Sequence, residues 1–169
     1  AEQGSHEAEF NLGIIYEIGN GVPIDINKAI NYYKKSSDSI SLASFQLSNI
    51  YLKNKYKDVQ KALFYLNKAA DQNNRDAFYN LGFFNFYGIN VPKNITKGLN
   101  YFQKAAELKE SKSLFFLGIY YLDGIHTKRD INKGIDYLTR SCLANNPDAQ
   151  FNLGHLYFEG FVIPCNYKQ

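Results

Sequence analysis

The sequence lacks methionine and tryptophan, has two cysteines and four prolines, and contains no long apolar run. The two cysteines, Cys142 and Cys165, are too few for the disulfide framework of a small secreted domain. Without a continuous apolar stretch of roughly 18 residues, the chain has no predicted membrane span. An excess of one charge is also missing, because 19 basic residues stand against 16 acidic ones. This balance argues against a nucleic-acid partner, which needs a clustered basic surface.

Catalytic and metal-binding motifs are missing as well. The three histidines, His6, His126 and His155, are far apart in sequence and fit no metal-ligand spacing. Gly19 and Gly21 match the start of a dinucleotide fingerprint, but the third glycine and the preceding strand are absent. Neither a nucleophile elbow nor a phosphate loop occurs. We therefore predict that the chain is not an enzyme and binds neither a cofactor nor a metal.

What the sequence does contain is an internal period of about 35 residues. A leucine followed by a small residue recurs at steps of 35, 34, 36 and 36 residues, at Leu12, Leu47, Leu81, Leu117 and Leu153. A lysine followed by a small residue recurs with the same period, at Lys28, Lys61, Lys97 and Lys133. Because two independent positions keep one period, the pattern predicts a repeat architecture.

Each period predicts two helices. Apolar residues around each leucine recur at helical spacing, and glycine is placed to end the first helix in four of the five repeats, at Gly19, Gly88, Gly124 and Gly160. Three residues before each lysine stands a residue suited to cap the second helix: Asp25, Asp58, Asn94 and Asp130. Asn94 also begins a formal glycosylation sequon, which carries little weight because the capping role already explains the asparagine.

One helix pair cannot bury its own apolar face, whereas stacked neighbours can. We therefore predict that residues 1–169 form a single all-α array of antiparallel helix pairs. The expected repeats are 5–38, 39–73, 74–109 and 110–145, with a half repeat at 146–169. Because the last repeat stops before its second helix and neither end has a polar cap, we expect a fragment of a longer array. Its exposed terminal repeats are expected to fray or to self-associate.

This pattern resembles the Sel-1-like repeats, a branch of the tetratricopeptide superfamily. Ala77–Gly82 is similar to the first-helix motif of that family, Gly19–Asp25 to its loop and Lys28–Lys35 to its second helix. The resemblance covers nearly the whole chain and implies a right-handed α/α superhelix of about four and a half repeats. One subfamily has paired cysteines eight residues apart, but the partner position of Cys142 holds Gln150. We therefore predict that Cys142 is a buried, free cysteine.

The resemblance also implies a function in binding. We predict an interaction scaffold or adaptor for partner proteins or peptides. The alternative is a regulatory region of an enzyme complex, such as an adaptor of ER-associated degradation or an activator of chitin synthase. An intracellular, cytoplasmic location is favoured, with the ER lumen or secretion as alternatives if the full chain has a signal peptide.

In tetratricopeptide-type arrays the first helices line the concave face, which implies candidate binding positions here. The aromatic residues two positions before each leucine are interpreted mainly as core between repeats. The row five positions after it is more apolar than a solvated face requires, and aromatic anchors there suit an extended or helical peptide. The predicted partner-binding residues, two and five positions after the leucine, are Asn49, Leu52, Phe83, Phe86, Ile119, Leu122, His155 and Phe158.

Overall fold

The computed structural model describes the backbone of residues 2–160 and the side chains of residues 5–53 and 55–160. Within that range the chain forms nine α-helices and one short 3-10 helix, with no strand. The α-helices are α1 (Glu2–Ile18), α2 (Ile26–Ser36), α3 (Ser41–Leu52), α4 (Val59–Asp71), α5 (Arg75–Tyr87), α6 (Ile95–Glu107), α7 (Ser111–Asp123), α8 (Ile131–Leu143) and α9 (Pro147–Phe158). The 3-10 helix, Asn54–Tyr56, lies between α3 and α4. None of the helices described is both long enough and apolar enough to cross a bilayer.

Contacts between the helices follow the order of the chain. The most extensive ones join α1 to α2, α3 to α4, α5 to α6 and α7 to α8, and these are the helix pairs of the repeats. Each second helix also contacts the first helix of the next pair. A pair therefore packs chiefly against its neighbours, as in a solenoid. The predicted all-α solenoid is confirmed.

The predicted caps of the second helices are confirmed. The four capping residues are Asp25, Asp58, Asn94 and Asp130. Each side chain accepts a hydrogen bond from the backbone N–H three residues further on, at 2.9–3.0 Å. Each cap also donates its own backbone N–H to a carbonyl in the last turn of the preceding helix, at 2.7–2.9 Å. The cap thus fixes both where the second helix begins and how it lies against the first.

Small residues on one helix of a pair face large residues on the other. A Cβ added to Gly82 in α5 would lie 2.8 Å from the ring of Phe102 in α6. In return, a Cβ added to Gly98 in α6 would lie 2.8 Å from both Cβ and the backbone nitrogen of Phe86 in α5. The α7–α8 pair repeats this arrangement, with Gly118 against Leu138 and Gly134 against Leu122. Two reciprocal contacts therefore fix the register of the α5–α6 and α7–α8 pairs.

The first repeat replaces one of these apolar contacts by a polar one. Tyr33 of α2 is fully buried beside Gly13 of α1, and its hydroxyl donates to Glu17 Oε2 at 2.6 Å. Glu17 stands where the next three repeats have Leu52, Phe86 and Leu122. Burial, together with the hydrogen bond to the Glu17 carboxylate and its charge, raises the pKa of Tyr33. On its other side Glu17 pairs with Lys53, with 3.6 Å between Oε1 and Nζ.

The prediction of a buried Cys142 is wrong in degree. The thiol is free, but the side chain is half-buried. Its neighbour Ser141 takes the buried position and donates from Oγ to the carbonyl of Ser111 at 2.7 Å. Because successive helical residues are rotated by about 100°, the side chain of Cys142 points to the flank of α8. Cys165 and the predicted end of the array after residue 160 lie outside the described residues.

Candidate functional site

The first helix of each pair carries a row of side chains at the positions two before, two after and six after its leucine. Residues spaced by four lie above one another on a helix. In α5 the row is aromatic, with ring centroids 6.3 Å apart between Tyr79 and Phe83 and 4.7 Å apart between Phe83 and Tyr87. Phe83 is 36% exposed and Tyr87 50% exposed. We call these rows together the first-helix face.

A hollow of about 360 Å³ lies on this face between the ends of α5 and α7. We call it the aromatic notch. Its lining consists of Phe86, Tyr87, Phe115, Phe116, Ile119, Tyr120, Asp123, Ile125 and His126. Four of these residues, Tyr87 of α5 and Phe115, Ile119 and Asp123 of α7, belong to the first-helix face. The notch is therefore the place where the rows of two consecutive repeats meet.

Core packing holds the rings of the notch in place. Phe86, which is only 8% exposed, forms the floor. Its ring stands nearly perpendicular to Phe116, at 82° with centroids 4.9 Å apart, and to Tyr120, at 81° and 6.3 Å. Phe116 in turn stacks on Phe102 of α6, with centroids 4.1 Å apart. The floor and one wall are thus fixed by the hydrophobic core, whereas Tyr87 remains half exposed at the rim.

Polar groups lie at the rim of the notch. Asp123, the last residue of α7, provides the one carboxylate among the nine lining residues. His126 follows in the next loop, and its ring centroid is 6.0 Å from that of Phe86. Tyr120 ties this loop to α7, since its hydroxyl donates to the carbonyl oxygen of His126 at 3.1 Å. The rim therefore combines one negative charge with an imidazole held by the loop.

The structure divides the predicted partner-binding residues into two groups. The residues two positions after the leucine belong to the first-helix face: Asn49, Phe83, Ile119 and His155. In the row five positions after it, Phe86 packs on Gly98 and Leu122 on Gly134, while Leu52 packs against the first core cluster. Phe158 is 89% exposed at the end of α9. Phe86 is thus a core residue that reaches the notch, rather than an exposed anchor.

Sequence reasoning missed most of the notch, which contains only Phe86 and Ile119 of the predicted set. The missed residues that carry its character are Tyr87, Phe116, Tyr120 and Asp123. Tyr87 and Asp123 stand four residues after Phe83 and Ile119, which were predicted. Extending the predicted row by one helical turn would have found both of them.

A larger hollow of about 720 Å³ lies at the opposite ends of these helices, beside the loop from α6 to α7. Its charged lining residues are of both signs: Arg75, Asp76, Glu107, Lys109, Glu110, Lys112 and Arg140. Glu110 is occupied in capping α7, where its carboxylate accepts the N–H of Ser113 at 2.6 Å. Among the side chains that the structure describes, those of residues 5–53 and 55–160, no group of three or more potential ligands is arranged to hold a metal ion. We therefore interpret the larger hollow as a consequence of the way consecutive repeats pack.

Comparison with known families decides what kind of array this is. The family model described as Sel1 repeat matches residues 6–39, 41–74, 76–110, 111–146 and 147–169. The chain belongs to the Sel1 repeat family. Proteins built from Sel1 repeats generally act as protein-interaction scaffolds. A comparison with curated proteins finds no match.

Solved structures of other Sel1 repeat proteins are similar to this Sel1 array. A Sel1 repeat protein from Oxalobacter formigenes is 29% identical with a TM-score of 0.84, over 92% of this chain and 64% of that one. A protective antigen of uropathogenic Escherichia coli strains that displays an SLR fold is 26% identical with a TM-score of 0.78, over 94% and 35%. Cysteine-rich protein B of Helicobacter pylori is 26% identical with a TM-score of 0.61, over 80% and 99%. The Sel1 array spans less than two thirds of the length of the first two proteins.

Proposed function

We propose that this Sel1 array is an interaction scaffold that binds a segment of a partner protein along its concave, first-helix face. The observation that carries the proposal is the exposed aromatic stripe of Phe83 and Tyr87 directly beside the aromatic notch. Apolar side chains that are exposed together, next to a preformed hollow, are typical of an interaction site.

The dimensions of the site favour a peptide segment over a folded domain. A hollow of about 360 Å³ is near the lower limit for ligand sites and accommodates one or two side chains. The stripe on α5 adds further aromatic contacts along the same direction. An extended or helical segment that places one side chain in the notch and lies along the stripe would use both features.

The chemistry of the notch suits recognition rather than catalysis. Its lining contains aromatic rings, two isoleucines, one carboxylate and one imidazole, and none of the nine residues is a serine, a cysteine or a lysine. A regulatory role in an enzyme complex, for example in ER-associated degradation or chitin synthesis, would use the same face. The identity of the partner would distinguish that role, and self-association through the terminal repeats also stays a prediction.

A pair of matched substitutions tests the proposed binding face. Peptides that bind the wild-type chain are selected from a random library displayed on phage, and their affinities are measured by fluorescence anisotropy. Phe83→Asp should weaken binding at least about tenfold, because it places a charge in the stripe. Phe64→Asp is the control, since Phe64 is 63% exposed but lies on a second helix, α4.

Circular dichroism of both variants checks that helicity and the unfolding temperature stay close to those of the wild type. If the selected peptides bind the Phe83 variant as tightly as the wild type, the first-helix face is not the binding face. Loss of binding in the Phe64 variant alone would move the site to the second helices.

A further inference from the structure

We propose that the aromatic notch binds a cationic side chain of the partner segment, with arginine as the best fit. This inference rests on the proposed function and specifies the chemistry of the partner. It follows from three features of the notch: the arrangement of its rings, the charge at its rim, and the absence of any Lys or Arg of the described residues from its rings.

The rings form a corner that can surround a flat cation. Phe116 and Tyr120 are nearly parallel to each other, at 21°, and both stand almost perpendicular to Phe86. Tyr87 closes a further side, at 70° to Phe86 with centroids 5.0 Å apart. The faces of aromatic rings carry partial negative charge and attract Lys and Arg side chains within about 6 Å of the centroid. A planar guanidinium can also stack on such a face, which an ammonium cannot.

The electrostatics of the rim also favour a positive charge. Asp123 is the one carboxylate among the nine described lining residues, none of which is a Lys or an Arg. Tyr87 and Asp123 are the last residues of α5 and α7, so the C-terminal ends of two helices meet here. The C-terminus of a helix carries a partial negative charge that stabilises cations. Both the side chain and the helix ends therefore select against an anionic residue.

Elsewhere this chain already covers tyrosine rings with its own cations. The Nζ of Lys28 lies 4.9 Å from the ring centroid of Tyr16, and that of Lys133 lies 4.2 Å from the centroid of Tyr121. In the part of the chain that the structure describes, no such contact involves the rings that line the notch. The neighbouring Arg129 donates to the carbonyl of Leu122 at 2.9 Å and lines a different hollow. Among the described residues, the notch is thus an aromatic site without a cation of its own, and a cationic side chain of a partner can take that place.

The test uses three blocked pentapeptides that differ only in their central residue between glycines: arginine, its neutral isostere citrulline, and norleucine. Each is titrated into the full ¹⁵N-labelled chain, and the amide chemical shifts are followed by NMR. The arginine peptide should shift the signals of Tyr87, Asp123 and His126 most. Citrulline should bind about fivefold more weakly, because it keeps the shape of arginine but loses the attraction of the charge to the rings.

Two variants with the same chemical change separate a local from a general charge effect. Asp123→Asn should weaken binding of the arginine peptide about two- to fivefold, since it removes one partly screened ion pair. Asp71→Asn removes an exposed carboxylate at the end of α4, outside the notch, and should leave the affinity unchanged. Both variants should keep the wild-type spectrum outside the neighbourhood of the changed residue.

Three results would overturn the inference. These are equal binding of the citrulline or norleucine peptide, an unchanged affinity in Asp123→Asn, and shifts that lie outside the notch. In each case the proposed function is still tested separately, by whether the selected peptides lose affinity for the Phe83→Asp variant. Conversely, if the arginine peptide binds in the notch while the selected peptides still bind the Phe83→Asp variant, the proposed binding face is wrong and the proposed cation site is still supported.

Discussion

Residues at equivalent positions of the repeats make different kinds of contact, and Glu17 is the clearest example. In the second, third and fourth repeats this position is apolar and packs within the helix pair. In the first repeat it is a largely buried carboxylate, with a side chain 17% exposed, held by the hydroxyl of Tyr33 and by Lys53. Burying a charged group costs free energy unless hydrogen bonds compensate it. The acidic partner therefore explains why the first repeat has Tyr33 at the position where the third and fourth repeats have Phe102 and Leu138.

Tyr33→Phe tests this compensation. We expect a loss of about 1–2 kcal/mol in the free energy of unfolding at pH 8, because the Glu17 carboxylate loses its hydroxyl donor. Since the pKa of folded Tyr33 is raised, its stabilising effect is complete below pH 10 and is lost as the unfolded tyrosine ionises above that value. In urea unfolding experiments, the difference in the free energy of unfolding between the wild type and the variant should thus decrease by about 1.4 kcal/mol from pH 8 to pH 11.

The double variant Glu17→Leu with Tyr33→Phe is the matched control. It restores an apolar pair like those of the later repeats, and replacing a buried polar pair by apolar residues is often neutral or stabilising. It should therefore recover at least half of the loss caused by Tyr33→Phe. If Tyr33→Phe lowers the free energy of unfolding by the same amount at pH 8 and pH 11, Tyr33 does not titrate as described.

At the scale of the helix, the sequence predicts how each pair is built. The caps were found because a polar residue stands three positions before each lysine, and a local motif needs no knowledge of packing. The reciprocal contacts of glycine with large residues follow from the same periodicity. In α6, Gly98 faces the backbone of Phe86 so closely that no Cβ fits. The equivalent residues of the first two repeats are Ala29 and Ala62, so this close approach is not common to all pairs.

Gly98→Ala should destabilise the chain by about 1–3 kcal/mol. Alanine normally favours a helix over glycine by about 1 kcal/mol. Here, however, the new Cβ would lie 2.8 Å from the backbone nitrogen of Phe86, and overpacking of this kind is destabilising. Gly154→Ala in α9 is the control, because among the described residues no atom beyond the adjoining helix backbone and chain neighbours lies within 4 Å of an added Cβ, and it should be neutral or stabilising. Urea unfolding of both variants measures the difference, and equal effects would contradict the close approach.

The candidate site was harder to predict for a reason that also lies in the helices. Second helices have one apolar and one polar side, so their periodicity shows which residues are buried. First helices contact their own second helix and the neighbouring repeat, and they are apolar on most sides. A pattern of apolar residues therefore does not show which row faces the partner. Phe86 and Phe83 look alike in sequence, yet the first is core and the second is exposed.

At the scale of the whole molecule, consecutive repeats are joined by polar contacts as well as apolar ones. Lys68 of α4 pairs with Asp38 of the preceding loop, with 2.6 Å between Nζ and Oδ1. Gln72 donates from Nε2 to the carbonyl oxygens of Ser37 and Asp38 at 3.0 and 2.9 Å. Such contacts act between neighbouring repeats, so the stability of the array depends on how many neighbours each repeat has.

The same substitution should therefore have different effects along the array. Leu81 is 3% exposed between two neighbouring repeats, whereas Leu12 occupies the equivalent place in α1 and is 37% exposed. Leu81→Ala should cost about 2–5 kcal/mol, the usual range for emptying a core position. Leu12→Ala should cost less than about 1.5 kcal/mol, because much of that side chain is already in water. Hydrogen exchange should show loss of protection on both sides of Leu81, in α4 and α6, but only in α1 and α2 for Leu12. If the two substitutions lower the free energy of unfolding equally and reduce protection over the same helices, the chain folds as one unit, without the nearest-neighbour behaviour of a solenoid.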